Sequence, residues 1–321
     1  MKHWFTILFS MLSVMLACIA CQRRELCLPD NTVRLDLHVH DTLPSVGVVP
    51  SGEIYETRLY QLSSGELAEV AYTGREGGVI YAPAGAYQLV SFNFDTESVV
   101  FEGEESWFRL RAVSTRSSSS VNQLFRQLMQ TAAVKSGAPF VDEEVVGEPG
   151  YLFAAQRTPV NLPYRGESDE RFVVAADAWP LFMTGTVEVY GVRGLAHLSS
   201  ATVFLTGMMR SRNLGAQSTA PASATLAVNL QTDLSQQRLE TRFTTFGPTG
   251  HSPIMLYLLL TDAGGGRYLF PFDVSGQYDA DAPELHFQVQ LDFEIPEPAP
   301  GGGGMAPVVD DWQIVCHPVS L

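Results

Sequence analysis

The stretch Val79-Ile80-Tyr81-Ala82-Pro83-Ala84-Gly85-Ala86-Tyr87-Gln88-Leu89-Val90 decides the fold class. Its β-branched and aromatic residues favour a pleated, half-buried strand up to Ala82. Pro83 then fixes φ, and Gly85 tolerates the positive φ that closes a bend, so the pair predicts a turn. From Tyr87 the strand pattern resumes, with Tyr87 placed to pack across the corner.

The same period of two recurs outward in both directions. Val33 to Val39 sends Val and Leu to one face and Arg34, Asp36 and His38 to the other. Thr186 to Tyr190, Arg267 to Phe270 and Leu285 to Leu291 read alike, with Gly, Pro, Asn and Asp between them. Short alternating strands with frequent turns predict an all-β chain of β-sandwiches rather than α/β layers. One helix is predicted, Val121 to Lys135, where Val121, Leu124, Phe125 and Leu128 fall at helical spacing after a serine run. Residues from about 117 to 150 read as an insertion that carries it. The break at Ala178-Trp179-Pro180, after which Thr184-Gly185 opens a new alternating strand, divides the chain into residues 21–182 and 183–321.

Composition agrees with two packed cores. The chain has 321 residues, 45% hydrophobic and 17% charged, which excludes a mostly disordered polymer. Its 20 basic against 35 acidic residues give a net charge of -15, a surface that repels phosphate backbones, so nucleic acid is not an expected partner. Lys2 and Lys135 are the only lysines, and neither completes a Gly-x-x-x-x-Gly-Lys phosphate loop.

The N-terminus reads as an address. Lys2 and His3 precede an uncharged apolar run from Trp4 to Ala20, short for a bilayer span. Cys18-Ile19-Ala20-Cys21 then places a cysteine directly after a small residue, with the polar segment Gln22-Arg23-Arg24-Glu25 following. This resembles a bacterial lipobox, which implies a signal peptide over residues 1–20 and lipid attachment at Cys21, with Cys18 second by position. Several acyl chains on one cysteine anchor a protein stably. Cys27 and Cys316 remain near opposite ends; export would permit a disulfide between them, and two unpaired thiols are the alternative.

The Pro83-to-Tyr87 corner resembles the corner hairpin of transthyretin-like seven-stranded β-sandwiches. Together with Cys21-to-Cys27, Asn93-x-Asp95-Thr96, Thr245-Phe246-Gly247, Phe272-Asp273-Val274 and Asp310-Asp311-Trp312, it is similar to a group of Bacteroidales lipoproteins. That group is a domain family of unknown function related to fimbrillin-associated (minor fimbria) anchor lipoproteins. The resemblance implies two tandem transthyretin-like β-sandwiches on an outer-membrane lipid anchor, with fimbrillin-like protein subunits as partners. Subunits of such polymers join when one chain supplies a strand to a neighbour's sheet edge. The chain departs from the pattern twice. Gln22-Arg23-Arg24 stands where acidic residues mark surface-displayed lipoproteins, which leaves the side of the membrane open. It also has no distinct processing site or detachable donor strand, which favours an anchor or accessory subunit over a polymerising one. The competing expectation is a lipoprotein module that binds glycan or protein ligands.

Catalytic readings are weak. Asp36, His38 and His40 share a strand face and two imidazoles can chelate zinc, but alternation alone explains all three. Asp279, Asp281 and Glu284 have carboxylates for calcium, yet Pro283 and Glu284 stand where an EF-hand loop needs an oxygen ligand and then glycine, so a solvated acidic turn is expected. His251 beside Ser252 lacks a nucleophile elbow. Glu104-Glu105 and Glu143-Glu144 read as surface charge, and Trp107, Trp179 and Trp312, among apolar neighbours, read as core. No enzyme activity and no cofactor are expected.

Overall fold

The computed structural model describes residues 31–44, 46–136, 142–163, 172–215, 222–298 and 312–314. The first sheet contains β1 (Asn31–Val39), β4 (Ile54–Gln61), β5 (Leu67–Gly74), β6 (Gly77–Ala82), β7 (Gly85–Asn93), β11 (Phe153–Leu162) and β12 (Phe172–Pro180). They run in the order β1-β12-β11-β7-β4-β5-β6 and close into a barrel, because β1 pairs in parallel with β12 and antiparallel with β6. The expectation was a sandwich here. Closure follows from β1, whose two edges are both taken, leaving this sheet without the free edge that an open sandwich keeps. Val33, Leu35 and Leu37 of β1, Tyr55 and Leu59 of β4, and Val174, Ala176 and Ala178 of β12 fill the barrel interior. Full burial of each large apolar side chain stabilises by about 1.5–3 kcal/mol.

The Pro83 corner joins β6 to β7, which are not neighbours: β4 and β5 lie between them. It is a crossover rather than a hairpin. Gly85 is not among the positive-φ glycines. Its small size serves instead, since a Cβ there would come within 3.1–3.2 Å of the Tyr87 ring.

A hairpin, β2 (Thr42–Leu43) with β3 (Gly47–Val48), follows β1. A three-stranded sheet contains β8 (Val99–Glu102), β9 (Arg111–Ser114) and β15 (Ser211–Asn213), so a strand from the second half pairs with one from the first. Trp107, Phe92, Tyr60, Leu214 and Phe246 pack beside it and join the two halves.

The second half is a two-sheet sandwich. One sheet holds β10 (Val145–Val146), β16 (Ser223–Asn229), β14 (Leu198–Met209), β19 (Met255–Asp262), β20 (Arg267–Asp273) and β22 (Trp312–Ile314), in that order. The other runs β17 (Gln231–Asp233), β18 (Arg238–Thr245), β13 (Met183–Arg193), β21 (Glu284–Glu294). Val187, Phe243, Phe287 and Leu291 from the smaller sheet meet Val203, Leu226, Leu258 and Phe270 from the larger.

The helix α1 (Ser119–Ser136) lies where its periodicity placed it. The Ser118 hydroxyl caps its first turn by accepting from Val121 N at 3.4 Å. Phe125, Leu128 and Met129 pack on Phe204, Tyr257 and Leu259, covering the outer face of the larger sandwich sheet. The segment from the first half therefore roofs the second. Among the described residues no helix is long and apolar enough to cross a membrane.

Candidate interaction surfaces

Sheet edges present unpaired N–H and C=O groups, so their location decides where a partner strand can add. The sandwich edges are managed in different ways. β10, β17 and β22 are very short. Beyond β17, the Glu148 carboxylate accepts from Thr244 N at 2.8 Å and occupies the side of β18. β22 covers β20 only from Arg267 to Leu269, and the remainder of β20 contains Pro271, which has no N–H to offer.

β21 is different: eleven residues long, with β13 on one side and no strand on the other among the described residues. Leu285, Phe287, Val289 and Leu291 are buried, whereas His286, Gln288, Gln290 and Asp292 are exposed. Side chains reinforce the backbone ladder to β13. Thr184 bonds to Glu284, Thr186 to His286 at 2.5 Å, and Gln288 donates to Glu188 at 2.8 Å. Arg193 adds an ion pair to Asp292 at 2.6 Å. The Glu188 carboxylate sits below its ordinary range because Gln288 donates to it, with Arg238 2.8 Å away adding its charge. β21 is thus fixed along one side by β13, with a register shift in the ladder between Tyr190 and Val192.

A second surface lies on the outside of the barrel, across β6, β1 and β12. His40 stacks on Trp179 with ring centroids 3.7 Å apart and planes 5° from parallel. His38 meets His40 edge-on at 4.5 Å, and Asp177 lies 3.1 Å from His40 Nε2. Trp179 is 56% exposed, which corrects its expected place in the core. Asp177 and Trp179 alternate with the buried Val174, Ala176 and Ala178, so strand parity turns the indole outward. Exposed Val79 and Val173 flank Arg34 further along the same face. Among the described residues no group of three His, Cys, Asp or Glu side chains is arranged to hold a metal ion.

The remaining candidates are dispersed. Glu104 pairs with Arg58 and Glu105 with Arg109. The Glu143 carboxylate accepts from Gly207 N and the Thr225 hydroxyl, while Glu144 bridges Arg116 and Arg210. Asp279 caps the Asp281 N–H at 3.0 Å, away from the Glu284 contact to Thr184. His251 contacts the Thr249 carbonyl rather than Ser252. Trp107 is buried as expected. Cys18, Cys21, Cys27, Cys316 and the Trp312 indole lie outside the described residues.

The quoted motifs turn out to be joints. The Asn93 amide accepts from Phe153 N at 2.7 Å and donates to Tyr151 O at 3.0 Å, fixing the start of β11. Asp95 accepts from Glu53 N at 3.0 Å, and Asp273 from Ser275 N at 3.0 Å.

Solved structures share this architecture. A candidate adhesin from Bacteroides ovatus superposes with a TM-score of 0.62 at 15% identity, covering 87% of this chain and 97% of its own. The fimbrial anchor protein Mfa2 from Porphyromonas gingivalis gives a TM-score of 0.51 at 12% identity, covering 81% of this chain and 89% of its own. At these identities the likeness is one of fold. No protein with a curated function matches the sequence. The model of a domain of unknown function, DUF5119, matches residues 20–229, and the chain belongs to that family.

Proposed function

We propose that the protein is a lipid-anchored structural component of the cell envelope, an anchor or accessory subunit of a fimbria-like polymer, joined to fimbrillin-like subunits by β-strand complementation. It has no catalytic role in this reading. The observation that carries it is the edge of β21, an eleven-residue strand paired with β13 on one side and with no strand on the other among the described residues. The fold likeness to a fimbrial anchor protein and to a candidate adhesin supports the same role. Cys21, after the apolar run from Trp4 to Ala20, would bear the lipid that holds the chain in the outer membrane.

The test is a photo-cross-linking residue at Gln290, on the open side of β21, in cells that also carry a Cys21→Ala version. The reading expects a cross-link to a fimbrial subunit and loss of fatty-acid labelling in the Cys21→Ala protein. Labelling that persists without Cys21 contradicts the anchor site, and a Gln290 probe that finds no protein contradicts the strand-addition site.

The exposed Trp179 supports a second reading, a module that binds glycans. An aromatic ring stacks on sugar faces, and Asp177 beside it supplies a hydroxyl acceptor. Trp179→Ala should then abolish glycan-array binding while leaving the melting temperature nearly unchanged.

A further inference from the structure

Gln277 stands in an exposed turn, Ser275–Gln277, beside β21. Its side-chain amide meets the main chain of one residue twice: Nε2 donates to Gln288 O at 2.9 Å, and Oε1 accepts from Gln288 N at 2.8 Å. A residue of an added antiparallel strand would make the same pair of bonds. The turn that delivers this plug is well fixed. Val274 is buried, Ser275 Oγ accepts from Ile254 N at 2.9 Å, and Asp273 accepts from Ser275 N.

The geometry also says which main-chain groups face the open side. A Cβ on Gly191 of β13 would strike Leu291 O, and Ile295 N donates to Arg193 O, so the odd-numbered residues turn to β13. Even-numbered residues from Glu284 to Glu294 therefore direct their N–H and C=O outward, as Gln288 does.

The strand's sequence, Glu284-Leu-His-Phe-Gln-Val289-Gln-Leu-Asp-Phe-Glu294, is nearly a mirror image about Val289. Two copies laid antiparallel about a two-fold axis at Val289 would oppose Gln288 with Gln290, His286 with Asp292, Phe287 with Leu291 and Leu285 with Phe293. The polar rungs fall on the outward-bonding residues and the apolar rungs extend the buried face. His286 opposite Asp292 places an imidazole beside a carboxylate that can accept its N–H, and only the terminal Glu284–Glu294 rung sets like charges together. Such a two-fold contact needs a self-complementary strand, whereas an edge built for an unrelated strand needs no symmetry.

We propose that β21 is a self-association edge for a second copy of this chain, and that Gln277 is the guard that keeps it closed. The guard occupies the N–H and C=O of Gln288, which the dimer would give to Gln290 of the second copy. A strand about 4.8 Å away would also fill the space the Gln277 side chain now takes, so the two states exclude each other. The inference does not depend on a fimbrial role, and a second copy and a fimbrial strand would compete for this one edge.

The test compares the full chain in detergent with its Gln277→Ala, Gln277→Glu and Gln277→Ala/Gln290→Pro variants by sedimentation equilibrium. The parent should be monomeric. Gln277→Ala should dimerise at least about tenfold more tightly, the equivalent of about 1.4 kcal/mol. Gln277→Glu, nearly isosteric, loses the donor to Gln288 O and should dimerise as well. Gln290→Pro removes an outward N–H without touching the bonds to β13 and should return the protein to monomer. A Gln277→Ala protein that stays monomeric, a dimer indifferent to Gln290→Pro, or a parent that already dimerises through β21 would each overturn the proposal.

Discussion

The Tyr87 hydroxyl donates to the Pro83 carbonyl oxygen at 3.0 Å, tying the start of β7 back to the crossover from which it emerges. The ring is almost wholly buried at the barrel end, and Gly85 is small enough to let it lie against the main chain. Tyr87→Phe keeps the packing and leaves the Pro83 carbonyl without this donor. It should cost about 1 kcal/mol in denaturant unfolding. Gly85→Ala should cost more, because the new methyl group meets the ring.

Arg58 is buried between two carboxylates, pairing with Glu56 and Glu104 on the covered outer face of β4. Its guanidinium is held protonated by those partners against the burial that opposes its charge. Arg58→Ala strands the buried Glu56 carboxylate and should cost about 3–5 kcal/mol. Replacing both, as Glu56→Leu/Arg58→Met, removes the charge with the partner and should recover most of that loss. Urea midpoints of the two variants check the order.

Phe125 anchors α1 through Phe204, at 5.2 Å between ring centroids, and Tyr257, at 6.4 Å. Phe125→Ala should destabilise by about 3 kcal/mol or more. The effect should be local: hydrogen exchange of residues in α1 and β10 should rise while barrel strands such as β4 and β7 keep their protection.

Glu188 gives stability a pH dependence whose sign follows from its lowered pKa. Its carboxylate is bonded to Gln288 and faces Arg238, so the folded state binds the proton less readily than the unfolded state. That contribution is complete above the ordinary value of 4.5 and is lost as pH falls through the lower folded value. The gap in stability between the parent and Glu188→Gln should therefore be widest near neutral pH and shrink below pH ~4.5, which paired thermal melts would measure.

Much of the fold was legible because one face of most strands is buried. Leu285 to Leu291 and Val33 to Leu37 each carry their inward residues at odd positions, and the structure buries those residues. Barrel closure was not legible, since it rests on parallel pairing of β1 with β12, residues more than a hundred apart whose side-chain pattern is silent about partners. The same holds for α1: its apolar face announced a helix but not that the surface it covers belongs to the later sheet. For Trp179, strand parity outweighs the character of the adjacent residues. Its immediate neighbours Ala178 and Pro180 suggested a core, whereas parity with Asp177 set it on the outside. Gln277 left no sequence signal, because an amide that bonds to main chain across a sheet edge has no spacing rule.

The most direct measurement of the central claim is extraction of the tagged protein from its native envelope in mild detergent, with mass spectrometry of what co-purifies and Cys21→Ala as the unanchored control. The account predicts a stoichiometric fimbrillin-like chain that stays bound in high salt, because main-chain pairing is insensitive to screening, and a Cys21→Ala protein released from the membrane. A protein that emerges alone, or with glycan and lipid only, would contradict it.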